Sequence, residues 1–156
     1  MAEALVARRS SPGGVFDSRA VYCASPADRV QFIKQGVSAR KAKTFIMNFD
    51  LDQKVMLDAL NLKTATVNKK AVKDEALSTD DSERVIGLVK LVGQLQSMIE
   101  ESGDPDGFDA HEWLSTWLKE PLPAFGGVRP IDYLDTMEGQ GLVSRALAQI
   151  QAGAYA

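Results

Sequence analysis

The chain has one cysteine and one histidine in 156 residues, and these two scarcities exclude much side-chain chemistry. A lone thiol, Cys23, forms no intrachain disulfide, and the chain fits a reducing cytoplasm. A lone imidazole, His111, has no thiol or second histidine near it in sequence, and the sequence suggests no partner for it as a zinc ligand or a general base. No phosphate-cradling glycine loop is present: Phe125-Gly126-Gly127-Val128 is too short and reads as a turn. Asp132 and Asp135 resemble a carboxylate pair, but Asp135-Thr136 ahead of a helix is more simply a cap. No apolar run approaches the ~20 residues that a membrane span needs. The apolar stretch within Met1–Arg9 is too short for a signal peptide. Strand-like alternation and internal repeats are also missing. What remains is an all-α protein with no enzymatic constellation, no metal and no cofactor.

What is present is an ordinary globular composition, 45% hydrophobic and 25% charged, long enough for one or two small domains. The net charge of −3 hides an asymmetry. Residues 29–73 carry ten basic against three acidic side chains, a net +7. Residues 74–156 carry five basic against fifteen acidic, a net −10. The first block attracts polyanions and the second repels them. The division suggests a DNA-facing half and a protein-facing half; the competing reading is two solvated faces of one domain.

Residues 1–26 read as a flexible arm, because Ser10-Ser11-Pro12-Gly13-Gly14 breaks any helix. From Pro26 the helical period takes over. Asp28–Gln35 places Val30, Phe32 and Ile33 on an apolar side, and Gly36 stops it. Ser38 caps a helix whose Ala42, Phe45, Ile46 and Phe49 share one face. Asp52–Leu60 and a segment from Lys63 or Thr64 to about Glu75 give two more helices. The acidic, cap-rich run from Ser78 to Glu83 opens a long helix with a stripe of Val85, Leu88, Val89, Val92, Leu95 and Ile99. Ser102–Gly107 is the clearest linker. The expected units are therefore 27–102 and 108–156.

Residues 52–73 have the layout of a helix-turn-helix: a short helix, a tight turn at Leu60-Asn61-Leu62, and a second helix sized for the major groove. Asn61 is the best non-glycine residue for the left-handed backbone such a turn requires. In the second helix Lys69, Lys70 and Lys73 can neutralise phosphates, Asn68 can read adenine, and Thr64 and Thr66 can meet phosphate or a thymine methyl. Two other readings stay open: lysines that only solvate a surface helix, or a domain kept mainly for dimerisation.

The last third holds Trp113-Leu114 and Trp117 on a short helix, Gly126-Gly127 in a turn, Pro130-x-x-Tyr133-Leu134 with Asp135-Thr136, Gly139, and a helix ending Ile150-x-x-Gly153. This pattern resembles the C-terminal toxin-binding domain of the Xre/MbcA/ParS antitoxins. The 52–73 segment resembles the Xre-like domain of the same family, with lysines where that family often has arginines and Leu57 where a small residue is usual. The resemblance implies an antitoxin that binds a RES-domain toxin and represses its own operon as a homodimer on operator DNA. It implies docking through the C-terminal region, with Trp113, Trp117, Arg129, Tyr133, Arg145 and Ile150 as contact candidates. It also implies that the chain end, Gly153, Ala154, Tyr155 and Ala156, enters or covers the toxin's NAD-binding cleft. The stripe Leu142, Val143, Ala146, Leu147 and Ile150 would supply the affinity. Core packing is the competing role for the two tryptophans. The competing function is a stand-alone helix-turn-helix regulator with a C-terminal protein-interaction domain.

Overall fold

The computed structural model describes residues 16–103 and 105–151. Among them run eight α-helices: α1 Ser18–Cys23, α2 Pro26–Gln35, α3 Ala39–Met47, α4 Gln53–Ala59, α5 Thr64–Val72, α6 Thr79–Ser102, α7 Ala110–Trp117 and α8 Met137–Gln151. Two 3-10 turns, Pro123–Phe125 and Pro130–Tyr133, link α7 to α8. A single antiparallel bridge between Ser38 and Ala76 is the one extended pairing among the described residues. The all-α expectation holds.

The helix starts follow the capping chemistry of the sequence. Ser25, Ser38, Asp52, Ser78 and Asp109 each accept a hydrogen bond from a first-turn N–H. Asp109 accepts two, from the backbone N–H groups of His111 and Glu112. Such caps satisfy donors that a helix cannot satisfy itself, each worth about 1 kcal/mol.

The 24-residue α6 is the spine, with α1, α2 and α8 packed along it and α3 packed on α5. Packing from several sides explains why its apolar surface is wider than one stripe: Ile86, Leu91 and Met98 are buried beside the expected Val85, Leu88, Val89, Val92 and Leu95. One continuous core joins the two expected units. Polar bolts cross between them. The Gln94 side-chain amide donates to the Ser144 carbonyl at 2.9 Å, and the Ser144 hydroxyl donates back to Gln94 Oε1 at 2.7 Å. Ser115 Oγ accepts from the Asp50 N–H at 2.8 Å.

The expected arm needs correction over residues 16–26. Asp17 caps α1, and Ser18 and Val21 are buried. The contact is made possible by Gly93 of α6: a Cβ there would stand 1.9 Å from the Ser18 carbonyl oxygen. Only a bare backbone lets α1 approach this closely. Residues 1–15 of the expected arm lie outside the described residues.

Candidate nucleic-acid and partner interfaces

The helix-turn-helix is built by α4 and α5. The Leu62 N–H bonds to the Leu57 carbonyl at 2.8 Å and the Asn61 N–H to the Asp58 carbonyl at 2.9 Å. With Asn61 at φ 55°, this closes α4 as a Schellman motif. Leu57 and Leu62, the two hydrophobic positions such a motif brings together, are both buried. A large residue at 57 is thus part of the closure.

Sequence reasoning missed the residue that clamps this turn. Arg84, reaching from α6, donates through Nε to the Leu60 carbonyl at 2.6 Å and through Nη2 to the Asn61 carbonyl at 3.2 Å. Asp81 pairs with the same guanidinium. The planar fork of arginine suits two adjacent carbonyls. No local sequence signal marks this clamp, because the two carbonyls it holds lie more than twenty positions away. The far end of α5 closes as α4 does: the Glu75 N–H bonds to Lys70 O at 2.8 Å and Asp74 takes φ 57°.

The outward face of α5 carries Ala65, Lys69 and Val72, with Lys73 just beyond its end. Val72 is 81% exposed, an unusual place for a branched apolar side chain. Thr64, Thr66, Asn68 and Lys70 are half-buried. Asn68 Oδ1 is buried without a hydrogen-bond partner, so a bidentate adenine contact requires this side chain to rotate outward. No side chain caps the start of α5. A cleft of about 380 Å³ beside it is lined by Asn61, Lys63, Thr66, Asp80, Asp81 and Arg84, so acidic groups stand close to the proposed reading head.

In the C-terminal region Trp113 and Trp117 stack with ring centroids 5.7 Å apart. Trp117 is 7% exposed, while Trp113 is half-buried and lines a groove of about 530 Å³ with Phe108, Glu112 and Glu120. The competing roles divide between the two rings: Trp117 is core and Trp113 is core on one side only. Tyr133 packs edge-on against Phe125 at 5.0 Å. Arg129 grips Asp132 with two hydrogen bonds, 3.2 and 3.1 Å, and both stay exposed. Arg145 is exposed and Ile150 half-buried. Gly153, Ala154, Tyr155 and Ala156 lie outside the described residues.

The stripe on α8 needs correction. Val143, Ala146 and Leu147 are buried in the protein's own core, where α8 packs on α6. They are not available to a partner. Leu142 differs: it is 39% exposed, and Met137 is 41% exposed. The apolar faces at 30–49 and 85–99 are likewise spent in the protein's own core, leaving Val30 and Met47 exposed.

His111 sits between aromatic rings, 5.2 Å from Phe45 and 4.9 Å from Phe49. Burial holds its pKa below the ordinary 6.5, against an opposing pull from Asp109. It is a neutral packing group joining α7 to α3. Among the described residues, no three His, Cys, Asp or Glu side chains gather where a metal could be held, and no helix is long and apolar enough to cross a membrane.

These elements define a helix-turn-helix protein with a helical interaction region folded onto it. Comparisons with known proteins agree. Residues 28–90 match the antitoxin Xre-like helix-turn-helix domain. Residues 106–153 match the antitoxin Xre/MbcA/ParS C-terminal toxin-binding domain. The chain is 68% identical, over 141 residues, to the "Prs ADP-ribosylating antitoxin" of Sphingobium sp. (strain YBL2), covering 90% of this chain and 89% of that relative. The chain belongs to the Xre/MbcA/ParS antitoxin family.

Proposed function

We propose that this protein is the cytoplasmic antitoxin of a type II toxin–antitoxin pair and neutralises a RES-type toxin. The toxin docks on the C-terminal region, and the chain end from Gly153 to Ala156 occludes its NAD-binding cleft. The antitoxin itself catalyses nothing; the ADP-ribosylating chemistry in the relative's name belongs, in this reading, to the toxin partner. The observation that carries the proposal is the toxin-binding match over 106–153 in a chain so similar to an antitoxin along its length.

The second half of the proposal is operon repression by a homodimer. The +7 block between residues 29 and 73 contains α4 and α5, and Lys69 and Lys73 point outward. Palindromic operators are read by symmetric dimers. Exposed Met47 of α3 and Val55 of α4 are apolar surface near this motif that a second copy would cover.

The test is co-expression with a RES-domain protein encoded beside this chain. The proposal expects rescue of growth, preserved cellular NAD and a co-purifying complex. The stand-alone-regulator reading expects promoter binding with no effect on any RES protein, and that pattern would displace the proposal.

A further inference from the structure

A second groove, of about 370 Å³, runs between α2, α6 and α8. Its polar lining is lopsided: Arg29, Lys90 and Arg145 against the single carboxylate of Glu83, with Ile86 and Met137 among its apolar walls. We propose that this groove is the subsite that receives an acidic side chain of the toxin, so that the partner binds across α8 and α6 together. The inference rests on the reading that the partner is a toxin, and it specifies where and by what chemistry that toxin docks.

The three cations are held in different ways. Arg29 is fixed from behind: its Nη1 donates to the carbonyls of Val21, Tyr22 and Ala24 at 3.1, 3.1 and 2.6 Å. Arg145 lies over Gly141, close enough that a Cβ on that glycine would sit 3.6 Å from Nη1. Lys90 is half-buried on α6. Among the described residues no carboxylate forms an ion pair with Lys90 or Arg145. A half-buried ammonium without a counter-ion costs stability. Burial and, after it, the charge of Arg29 push the Lys90 pKa below 10.5. A hydrocarbon side chain would pack the same space without that cost. The arrangement makes physical sense when an incoming carboxylate completes it.

Position and surroundings favour a protein occupant. The α8 wall lies within the toxin-binding match of 106–153. Lys90 is the last residue of the helix-turn-helix match. Met137 of α8, 41% exposed, and half-buried Ile33 of α2 supply accessible apolar surface on two walls of the groove. Apolar surface around a desolvated charge pair is the layout of an interface core. Complementary charge inside such a ring fixes register and slows dissociation.

The experiment compares Lys90→Met, Lys90→Arg and Arg145→Gln with the wild-type chain, for thermal stability alone and for affinity to the co-encoded RES protein. Lys90→Met keeps the length and apolar body of the side chain but removes its charge. The proposal expects Lys90→Met to melt at or above the wild-type temperature while its toxin affinity falls by roughly 30-fold or more. Arg145→Gln should weaken affinity less, and Lys90→Arg should retain most of it. In the wild type, the side-chain NMR titration of Lys90 should move upward in the complex, as a carboxylate arrives beside it. Wild-type toxin affinity in Lys90→Met would overturn the proposal while leaving the antitoxin reading intact. Absence of toxin binding by the wild type would overturn both. Inorganic phosphate or AMP is the small-anion control. If either shifts the Lys90 titration in the free protein at micromolar concentration, and the toxin does not, the groove is a small-anion site and the proposal fails.

Discussion

Replacing Gly93 by alanine inverts a familiar sign. In the middle of an exposed helix this change stabilises by about 0.8–1 kcal/mol, because alanine loses less backbone entropy. At Gly93 the new Cβ would meet Ser18 O at 1.9 Å, Ser18 C at 2.5 Å and Tyr22 Cβ at 2.8 Å. Two of these are backbone atoms, so no side chain can swing aside. Helix α1 must retreat by about 1.5 Å to reach ordinary contact distance. Val21 is fully buried and Ala24 nearly so; a gap of that width is too narrow for water but strips their packing contacts, at about 1–3 kcal/mol. The Arg29 hydrogen bonds to this segment weaken as well, at about 1 kcal/mol for a typical bond. The Arg19–Glu100 pair is largely exposed and adds little. The net expectation is a loss of roughly 1–3 kcal/mol, or a melting temperature lower by about 2–10 °C for a chain of this size. Gly141→Ala on α8 is the control, since its nearest neighbour is Arg145 Nη1 at 3.6 Å. It should be neutral or stabilising. A rise in melting temperature for Gly93→Ala, matching the control, would refute the docking of α1 on α6.

Three other outcomes follow from the same contacts. His111 has its folded pKa below 6.5, so the unfolded chain binds the extra proton; its contribution is complete above pH 6.5 and is lost as pH falls below it. Melting curves from pH 7.5 to 5.5 should therefore fall more steeply for the wild type than for His111→Phe, and parallel slopes would contradict the packing role. Arg84→Met leaves the carbonyls of Leu60 and Asn61 without their donor and should cost about 1–3 kcal/mol in urea unfolding, with promoter binding lost alongside. Lys69→Ala with Lys70→Ala should weaken promoter binding and reduce the salt slope by about one to two, which fluorescence anisotropy at several salt concentrations will show.

The sequence was most legible where one residue decides one geometry. Ser38 and the run from Ser78 announced helix starts because a short oxygen-bearing side chain ahead of an apolar period has few other uses. Asn61 announced a left-handed turn for a comparable reason. The face Ala42, Phe45, Ile46 and Phe49 was read correctly because α3 packs from one side. Leu57 stands where a small residue is usual yet is fully buried, because the turn that closes α4 brings it against Leu62. Reading failed where an element's environment comes from distant chain. The α8 stripe looked free for a partner because nothing local says that α6 already covers it. Segment 18–23 looked unstructured because the glycine that receives it stands seventy-five positions later. The groove of Arg29, Lys90 and Arg145 is assembled from three helices, so no single stretch of sequence announces it. For the proposed toxin contacts, family resemblance named the region and the structure then separated buried stripe from exposed rim.

The central claim is that the chain end blocks the toxin's NAD cleft while the folded body provides the grip. NAD turnover by the purified RES toxin, measured alone, with the full chain and with a chain ending at Ala152, tests it directly. The account predicts no turnover with the full chain. With the shortened chain it predicts that the complex still forms in a pull-down while most of the turnover returns. Full inhibition by the shortened chain, at concentrations where the full chain inhibits, would contradict it and move the block to the body of the antitoxin.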